Sequence, residues 1–384
     1  MTNAIFALML FFGANGDEFI QSVFFDRSAG PEIISAFRVE LDAALLEGDV
    51  TSFRLSLPEG TTEVVHRVSS QHNLNGTTSW QGIWTVNHVA APVILTTKNG
   101  CVSGLIYLSN RVVQIRPTID GNILEELDHN SFDGCETDES GFQPAKVNPL
   151  PNNIHSVELD VLIVYTPDAE QAVGGSDGMD VLVQNAMDIT NYAFLKSQID
   201  ARVRLVHARS INYPETGNLE DDLNWLKNDP ACRSMRAEVG ADFVGLIVEN
   251  AGNSCGRAFV QRSTTVPFSE SAFQVTARSC TVGNLSFTHE LAHNLGCEHN
   301  PESSDAYPNR GSYPWSFGHY VNGVFRTVMS YSAACTNGCP RIPLFSNAAI
   351  LVDGFPAGIP NQRENYRVIN QTSPSAAKFR QSTK

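Results

Sequence analysis

Two histidines four positions apart, His289 and His293, are the side chains in this sequence best suited to hold a metal ion. On an α-helix this spacing places both imidazoles one turn apart on the same face. A third histidine, His299, follows Gly296, which can adopt the left-handed backbone that turns a chain sharply at the end of a helix. We therefore predict that His289, His293 and His299 bind one metal ion.

Three neutral imidazoles are typical of a catalytic zinc site, because they leave the fourth tetrahedral position to water. Zinc lowers the pKa of a bound water from about 15.7 to about 7. Glu290 lies next to the first histidine, and we predict that it takes a proton from that water as general base and returns it to the leaving amine. This chemistry hydrolyses amide bonds. The alternative is that the histidines are structural groups on an ordinary buried helix.

A second segment, Thr327-Val328-Met329-Ser330-Tyr331, resembles the tight methionine-containing turn of the metzincins, a clan of zinc proteases. The resemblance implies that Met329 forms an apolar floor under the zinc and is not a ligand. It also implies a role for Tyr331, since in astacin-like and serralysin-like members a tyrosine at this spacing reaches the metal or the developing oxyanion. The alternative is a packed aromatic ring whose hydroxyl bonds to the backbone.

Residues 271–280, the histidine motif and residues 339–347 together resemble the secreted reprolysin-like enzymes of the peptidyl-Asp metallopeptidase family. The likeness covers roughly the C-terminal 230 residues. One departure is Asn300, where reprolysins usually carry aspartate directly after the third histidine. The resemblance implies a preference for cutting beside acidic residues, which requires a cation in the pocket, and Arg341 and Arg326 are the candidates.

The eight cysteines indicate an oxidising compartment, where an even number is expected to pair. Six of them lie beyond residue 157 and allow fifteen pairings. The family likeness implies one disulfide, the short spacing favours a second, and a third is possible between the remaining two: Cys255 with Cys280, Cys335 with Cys339, and Cys232 with Cys297.

Two further cysteines, Cys101 and Cys135, leave two alternatives open. One of them, with Cys135 favoured, could hold the open zinc position as a thiolate and keep the enzyme latent. Otherwise the two cysteines form a disulfide. The acidic residues around Cys135 disfavour a free thiolate unless zinc overrides them.

Residues 157–384 contain the elements that must position the metal site. The near-continuous apolar run over 159–165 is typical of a strand covered on both faces. Helix and strand patterns then alternate over 180–197, 203–208, 219–227 and 243–248. Edge strands are expected over 258–261 and 272–276, and in metzincins an edge strand binds extended substrate. We predict an α/β metzincin catalytic domain with a mixed sheet and an active-site helix.

Residues 17–133 read mainly as short strands and turns, with the turn pairs Asn75-Gly76, Asn99-Gly100 and Asp120-Gly121. This β-rich domain has no catalytic constellation and resembles the propeptide of secreted metzincins. The alternative is a permanent binding module. The polar, proline-containing segment 134–156 is predicted to be a linker in which activation cleavage occurs.

Residues 1–16 are predicted to be a signal peptide, because their apolar run is too short to span a bilayer and ends in small residues before Asp17. The segment lacks Lys and Arg, and the alternative is a buried first element.

The composition limits the classes of partner. With 384 residues, 42% of them hydrophobic, the chain is long enough for two domains. A net charge of -15 argues against nucleic acid and anionic membranes. We predict a secreted, extracellular zinc endopeptidase, made as a proenzyme, whose partners are protein or peptide substrates and its own propeptide. The alternative is a non-catalytic secreted binding protein that keeps the fold, although the presence of Glu290 favours the enzyme.

Overall fold

The structure is a computed structural model. It describes residues 9–11, 17–26, 30–86, 89–108, 111–138, 157–263 and 268–382. The chain divides into two compact units: residues 1–131 with 170–185, and residues 132–169 with 186–384. In these described ranges, no helix is long and apolar enough to cross a membrane.

The first unit is built on an antiparallel sheet of ten strands in the order β1-β2-β3-β10-β9-β8-β7-β6-β5-β4. Side chains two positions apart share a face of a strand, and Trp80 and Trp84 are accordingly both buried in the core of this unit. The elements are β1 Met9–Phe11, β2 Ile20–Asp26, β3 Ile33–Leu41, α1 Ala44–Glu47, β4 Ser52–Ser56, β5 Thr62–His72, β6 Thr78–Val86, β7 Val89–Lys98, β8 Cys101–Tyr107, β9 Val112–Thr118 and β10 Gly121–Leu127.

Most of the predicted signal peptide, residues 1–8 and 12–16, lies outside the described residues. The short strand β1 falls within the predicted segment and pairs antiparallel with β2.

The second unit contains a mixed sheet of six strands in the order β11-β15-β16-β14-β12-β13. Strands β12, β13, β14 and β16 are parallel, whereas β15 runs antiparallel to β16. The bounds are β11 Cys135–Asp138, β12 Val157–Tyr165, β13 Ala201–Ser210, β14 Phe243–Val248, β15 Gly256–Phe259 and β16 Phe273–Ala277. The predicted mixed sheet is confirmed, and β12 is buried along nearly its whole length, as its apolar run indicated.

Helices alternate with strands from β12 to β14, which confirms the predicted alternation for this part of the chain. The helices that follow β12 are α2 Pro167–Ala172, α3 Ser176–Lys196, α4 Leu219–Asn228, α5 Pro230–Val239, α6 Arg278–Thr281, α7 Ser286–Asn294 and α8 Asn365–Ala376. Two small antiparallel sheets follow α7: β17 Tyr320–Val321 with β18 Phe325–Arg326, and β19 Asn347–Val352 with β20 Phe355–Ala357.

The start of the predicted linker forms a strand. Residues 135–138 make up β11, which pairs with β15 and so satisfies backbone groups that an edge strand would leave open. The rest of the linker, residues 139–156, lies outside the described residues.

Candidate metal centre

Helix α7 packs against β15 and β16 and carries the first two histidines of the motif. After the helix ends, Gly296 adopts a left-handed backbone with φ 94°. A Cβ at this position would lie 3.0 Å from the carbonyl oxygen of Gln261, so the turn has little room for a side chain. The turn returns the chain so that His299 meets His289 and His293, as their spacing predicted.

The Nε2 atoms of the three imidazoles form a nearly equilateral triangle. The separations are 3.1 Å between His289 and His293, 3.1 Å between His289 and His299, and 3.0 Å between His293 and His299. A tetrahedral zinc with bonds of about 2.0–2.1 Å requires ligand separations of about 3.3 Å. All three side chains are buried. The triangle therefore has the size and enclosure that one metal ion needs.

The other ring nitrogens determine which tautomer faces the triangle. Nδ1 of His289 donates to the carbonyl oxygen of Val328 at 2.9 Å, and Nδ1 of His293 donates to that of Cys297 at 2.8 Å. Because a carbonyl oxygen only accepts, these Nδ1 atoms carry the proton and the Nε2 atoms present lone pairs. Burial lowers the pKa of both imidazoles, that of His293 to about 3. Facing lone pairs at this distance are stable only around a cation, so the donor set fits a metal.

Glu290 lies beside this triangle and is fully buried. A carboxylate oxygen of Glu290, a ring nitrogen of His289 and the thiol of Cys135 all lie within 4.8 Å of one another. Burial raises the pKa of the Glu290 carboxyl to about 8, while the positive charges of Arg341 and Arg257 act in the opposite direction. A carboxyl with a pKa near neutrality can both accept and release a proton.

Gly256, at the start of β15, provides the space that the Glu290 side chain occupies. A Cβ on Gly256 would lie 2.6 Å from Oε1 of Glu290 and 2.8 Å from its Cγ. Since atoms do not approach so closely, a side chain at position 256 would displace the carboxylate. No sequence signal singled out this glycine, because the contact joins two segments that are distant along the chain.

The predicted methionine turn, residues 327–331, lies against the histidines. The ring centroid of Tyr331 is 4.1 Å from that of His299 and 6.1 Å from that of His289. The Tyr331 hydroxyl donates a hydrogen bond to the carbonyl oxygen of Cys135. Met329 is completely buried. The structure therefore brings Tyr331 together with the three histidines and Glu290.

Asn300, which stands where an aspartate was expected, connects two parts of the site. Its Oδ1 accepts a hydrogen bond from the backbone of Tyr331 at 3.0 Å. Its Nδ2 donates to Glu302 at 3.1 Å and to Ser303 at 3.2 Å. An aspartate could make the first contact but would repel the Glu302 carboxylate. The amide therefore suits this chain and links the loop after His299 to the tyrosine.

The two arginines predicted as candidate cations lie behind the methionine turn. Arg326 and Arg341 are both buried, and each donates to the carbonyl oxygen of Ser330, at 2.8 and 3.3 Å. Burial raises the pKa of Glu290 and of Cys135, and the positive charge of Arg341 opposes part of that rise. Of the two, Arg341 is the cation whose charge acts on the proposed base.

Cys135 lies in β11, opposite Gly256 of β15. Its thiol is buried and donates to the hydroxyl of Ser286 at 3.7 Å. The predicted alternative of a disulfide between Cys101 and Cys135 is wrong, since both are free thiols. The physical reason is that β11 holds Cys135 beside the metal centre, with its sulfur directed at α7.

Two of the predicted disulfides are confirmed, Cys255 with Cys280 and Cys335 with Cys339. The third, Cys232 with Cys297, is wrong because both residues are free and buried in different surroundings. The thiol of Cys297 donates to a backbone carbonyl of α8 at 3.7 Å. Cys232 packs in the core that α4 and α5 form with the sheet.

Comparison with known proteins finds the following similarities. The sequence profile of metallo-peptidase family M12 (Reprolysin_5) matches residues 156–346. A peptidyl-Asp metalloendopeptidase of Xanthomonas campestris pv. campestris is 30% identical over 75% of this chain and 69% of that protein. One of Stenotrophomonas maltophilia is 29% identical over 75% of this chain and 70% of that protein. Metalloproteinase-II from Bacteroides fragilis has a TM-score of 0.41 and 12% identity, covering 72% of this chain and 89% of that one.

The matching family model and the similar proteins identify the chain as a metallopeptidase. The chain belongs to the M12 metallopeptidases, in the family of the peptidyl-Asp metalloendopeptidases. It is a metalloendopeptidase that acts on proteins or peptides and depends on a divalent metal ion.

Proposed function

We propose that this chain is a secreted zinc endopeptidase of the metzincin clan, made as a proenzyme. The observation that carries the proposal is the triangle of Nε2 atoms from His289, His293 and His299, with the Glu290 carboxylate beside it. Three imidazole ligands with an open fourth position are typical of a catalytic rather than a structural zinc site, and the nearby carboxylate is placed to act as a base.

In this proposal the three histidines hold zinc, which when bound would supply Lewis-acid activation of a water and of the scissile carbonyl. Glu290 takes a proton from the attacking water and passes it to the leaving amine. Burial supports both roles, because it raises the pKa of the carboxyl to about 8 and so makes the carboxylate a stronger base. Met329 forms the apolar floor of the site.

Tyr331 is proposed to stabilise the oxyanion that develops in the transition state. We expect Tyr331→Phe to lower kcat by about 10²-fold with little change in KM, since the hydroxyl acts on charge that appears only in the transition state. Steady-state kinetics with a peptide substrate would measure this. A wild-type kcat in the variant would assign the ring a packing role instead.

The Gly256 contact gives a second test of the base. We expect Gly256→Ala to lower kcat by about 10²-fold, because the added methyl group displaces the Glu290 carboxylate from its position. The measurement is peptide hydrolysis together with zinc content and thermal stability. A Gly256→Ala protein with wild-type zinc content, thermal stability and activity would show that the position of the carboxylate is not critical.

We propose that residues 1–16 are a signal peptide, 17–133 a propeptide domain, 134–156 the linker and 157–384 the catalytic domain. Cys135 supports the proenzyme, because its thiol lies within 4.8 Å of a ring nitrogen of His289 and of a carboxylate oxygen of Glu290. We propose that this sulfur, as a thiolate, would act as the fourth ligand of the zinc ion and exclude the attacking water. Processing in the linker would then release the block.

A preference for cleaving beside acidic residues is also proposed, in keeping with the names of the relatives. Arg341 is the candidate cation of the specificity pocket, since its buried side chain lies behind the methionine turn and donates to the carbonyl oxygen of Ser330. Arg326 donates to the carbonyl oxygens of Ser330 and Cys339 and is proposed to support the methionine turn instead.

The test is hydrolysis of a mixed peptide library by the full chain after limited proteolysis of the linker. We expect cleavage that a zinc chelator abolishes and that added zinc restores, with cut sites enriched in aspartate or glutamate. Folded, zinc-loaded and processed protein that cleaves nothing would favour a secreted binding protein that retains the fold.

A further inference from the structure

Strand β11 occupies the open edge of β15, where an extended peptide would pair with the sheet. The two strands run parallel, with Cys135 opposite Gly256 and Glu136 opposite Arg257. Paired residues of neighbouring strands point to the same face of a sheet, and successive residues alternate. Cys135 therefore faces the metal centre, whereas Glu136 and Arg257 face the other side.

Arg257 forms two ion pairs on that other side. One is with Glu136 of β11. The other is with Glu220 in the first turn of α4, at 3.2 Å. The Arg257 side chain is only 13% exposed, while those of Glu136 and Glu220 are 55% and 60% exposed. The two ion pairs hold the Arg257 guanidinium in place and largely shield it from solvent, whereas the two carboxylates are exposed. A positive charge held in this way is suited to bind a carboxylate from another chain.

Glu136 belongs to the segment that the proposed activation would remove, whereas Arg257 and Glu220 would remain. Loss of β11 opens both the backbone groups of β15 and one side of the Arg257 guanidinium. A peptide that pairs with β15 then brings a side chain to the position that Glu136 occupied. A carboxylate there restores the charge-assisted contact, but a neutral side chain does not.

We propose that Arg257 is a specificity-determining residue that binds an acidic side chain of the substrate, in a subsite that Glu136 fills in the proenzyme. The subsite rests on the proposed function and is distinct from the specificity pocket assigned to Arg341. Because side chains alternate along a strand, it accepts a residue adjacent to one that points towards the metal. Substrates with neighbouring acidic residues are therefore preferred.

The first experiment compares the processed forms of the wild type, Arg257→Gln and Arg257→Glu on a peptide library. We expect the wild type to favour Asp or Glu over Gln by about 3- to 10-fold in kcat/KM at one position next to the metal-facing residue, in the range of a partly shielded ion pair. Arg257→Gln should abolish this preference, and Arg257→Glu should shift it to Lys or Arg. The matched control is Arg233→Gln on α5, which breaks an ion pair with Glu270.

The second experiment needs no turnover. The affinity of a fluorescent peptide of residues 132–138 is compared with that of its Glu136→Gln version. Both peptides are tested on the processed forms of the wild type and of Arg257→Gln. We expect the unaltered peptide to bind about 3- to 10-fold more tightly than the Glu136→Gln version to the wild type, and equally to the variant. Such a double-mutant cycle isolates the contact from effects on folding.

The outcomes separate the subsite from the general function. Cleavage with unchanged acidic preference in Arg257→Gln overturns the subsite and leaves the zinc endopeptidase intact. Absence of any metal-dependent cleavage by the wild type overturns the proposed function. In that case the binding experiment still decides whether Arg257 recognises the carboxylate, and equal affinities on the wild type reject it.

Discussion

Glu290→Gln is expected to lower kcat by about 10²- to 10⁴-fold, because the amide cannot accept a proton from the attacking water. Glutamine has nearly the same shape as glutamate, so the three histidines and their carbonyl partners remain in place. The zinc content should therefore equal that of the wild type. Peptide hydrolysis and metal analysis on the same preparation would measure both quantities.

The matched control is Glu270→Gln, the same chemical change at a surface glutamate that pairs with Arg233 and Arg380. It should leave kcat and zinc content unchanged. A Glu290→Gln protein that keeps zinc and retains more than about a tenth of wild-type kcat would show that another group moves the proton.

Cys135→Ala is expected to raise the activity of the unprocessed chain by about 10-fold or more. The thiol lies within 4.8 Å of a ring nitrogen of His289 and is the proposed blocking group. Each 1.4 kcal/mol of binding that the blocking segment loses raises its dissociation constant about tenfold. Burial raises the pKa of the Cys135 thiol well above its usual value, so the thiolate forms only when a metal stabilises it. The measurement is the hydrolysis rate of intact, zinc-loaded chain before and after linker cleavage.

Cys232→Ala is the matched control, since Cys232 is also a free and buried thiol but lies on α5, in the core that α4 and α5 form with the sheet. It should leave the unprocessed chain as inactive as the wild type. A spectroscopic measurement adds an independent result: replacement of zinc by cobalt should give a thiolate-to-cobalt absorption band that Cys135→Ala lacks. An intact wild type that is fully active, with no such band, would exclude the thiol block.

Arg257 would add electrostatic selectivity to the proposed latency. Its ion pair with Glu136 holds the strand that carries Cys135, so in the proposed proenzyme one short segment would cover both the metal centre and the acidic subsite. Activation would then expose both at once.

Much of the metal centre could be predicted from the sequence because its ligands depend on local geometry. The spacing of His289 and His293 follows the helical repeat, and Gly296 supplies the one backbone conformation that returns His299. Strand β12 was recognisable for a similar reason, since an apolar run of that length is buried on both faces. The short disulfide between Cys335 and Cys339 is likewise a local feature.

The tertiary structure decided which residues from distant parts of the chain contact the metal centre and its helix. Cys135 and Ser286 are 151 residues apart in the chain, and Glu136 and Arg257 are 121 residues apart, yet both pairs are in contact. No repeat or spacing encodes such contacts, because they depend on which strand takes the free edge of β15. The same holds for Gly256, whose missing side chain leaves room for Glu290.

The cysteines also show which features follow from sequence spacing and which depend on contacts between distant segments. Composition and spacing indicated that thiols would pair, but the fold buries Cys232 and Cys297 in separate surroundings and directs Cys135 towards α7. The sequence by itself thus indicated the three histidines that the structure brings together and the alternation of helices and strands over residues 159–248. Only the tertiary structure decided which distant groups shield, block and support that site, because packing of the sheet edge against the active helix brings them together.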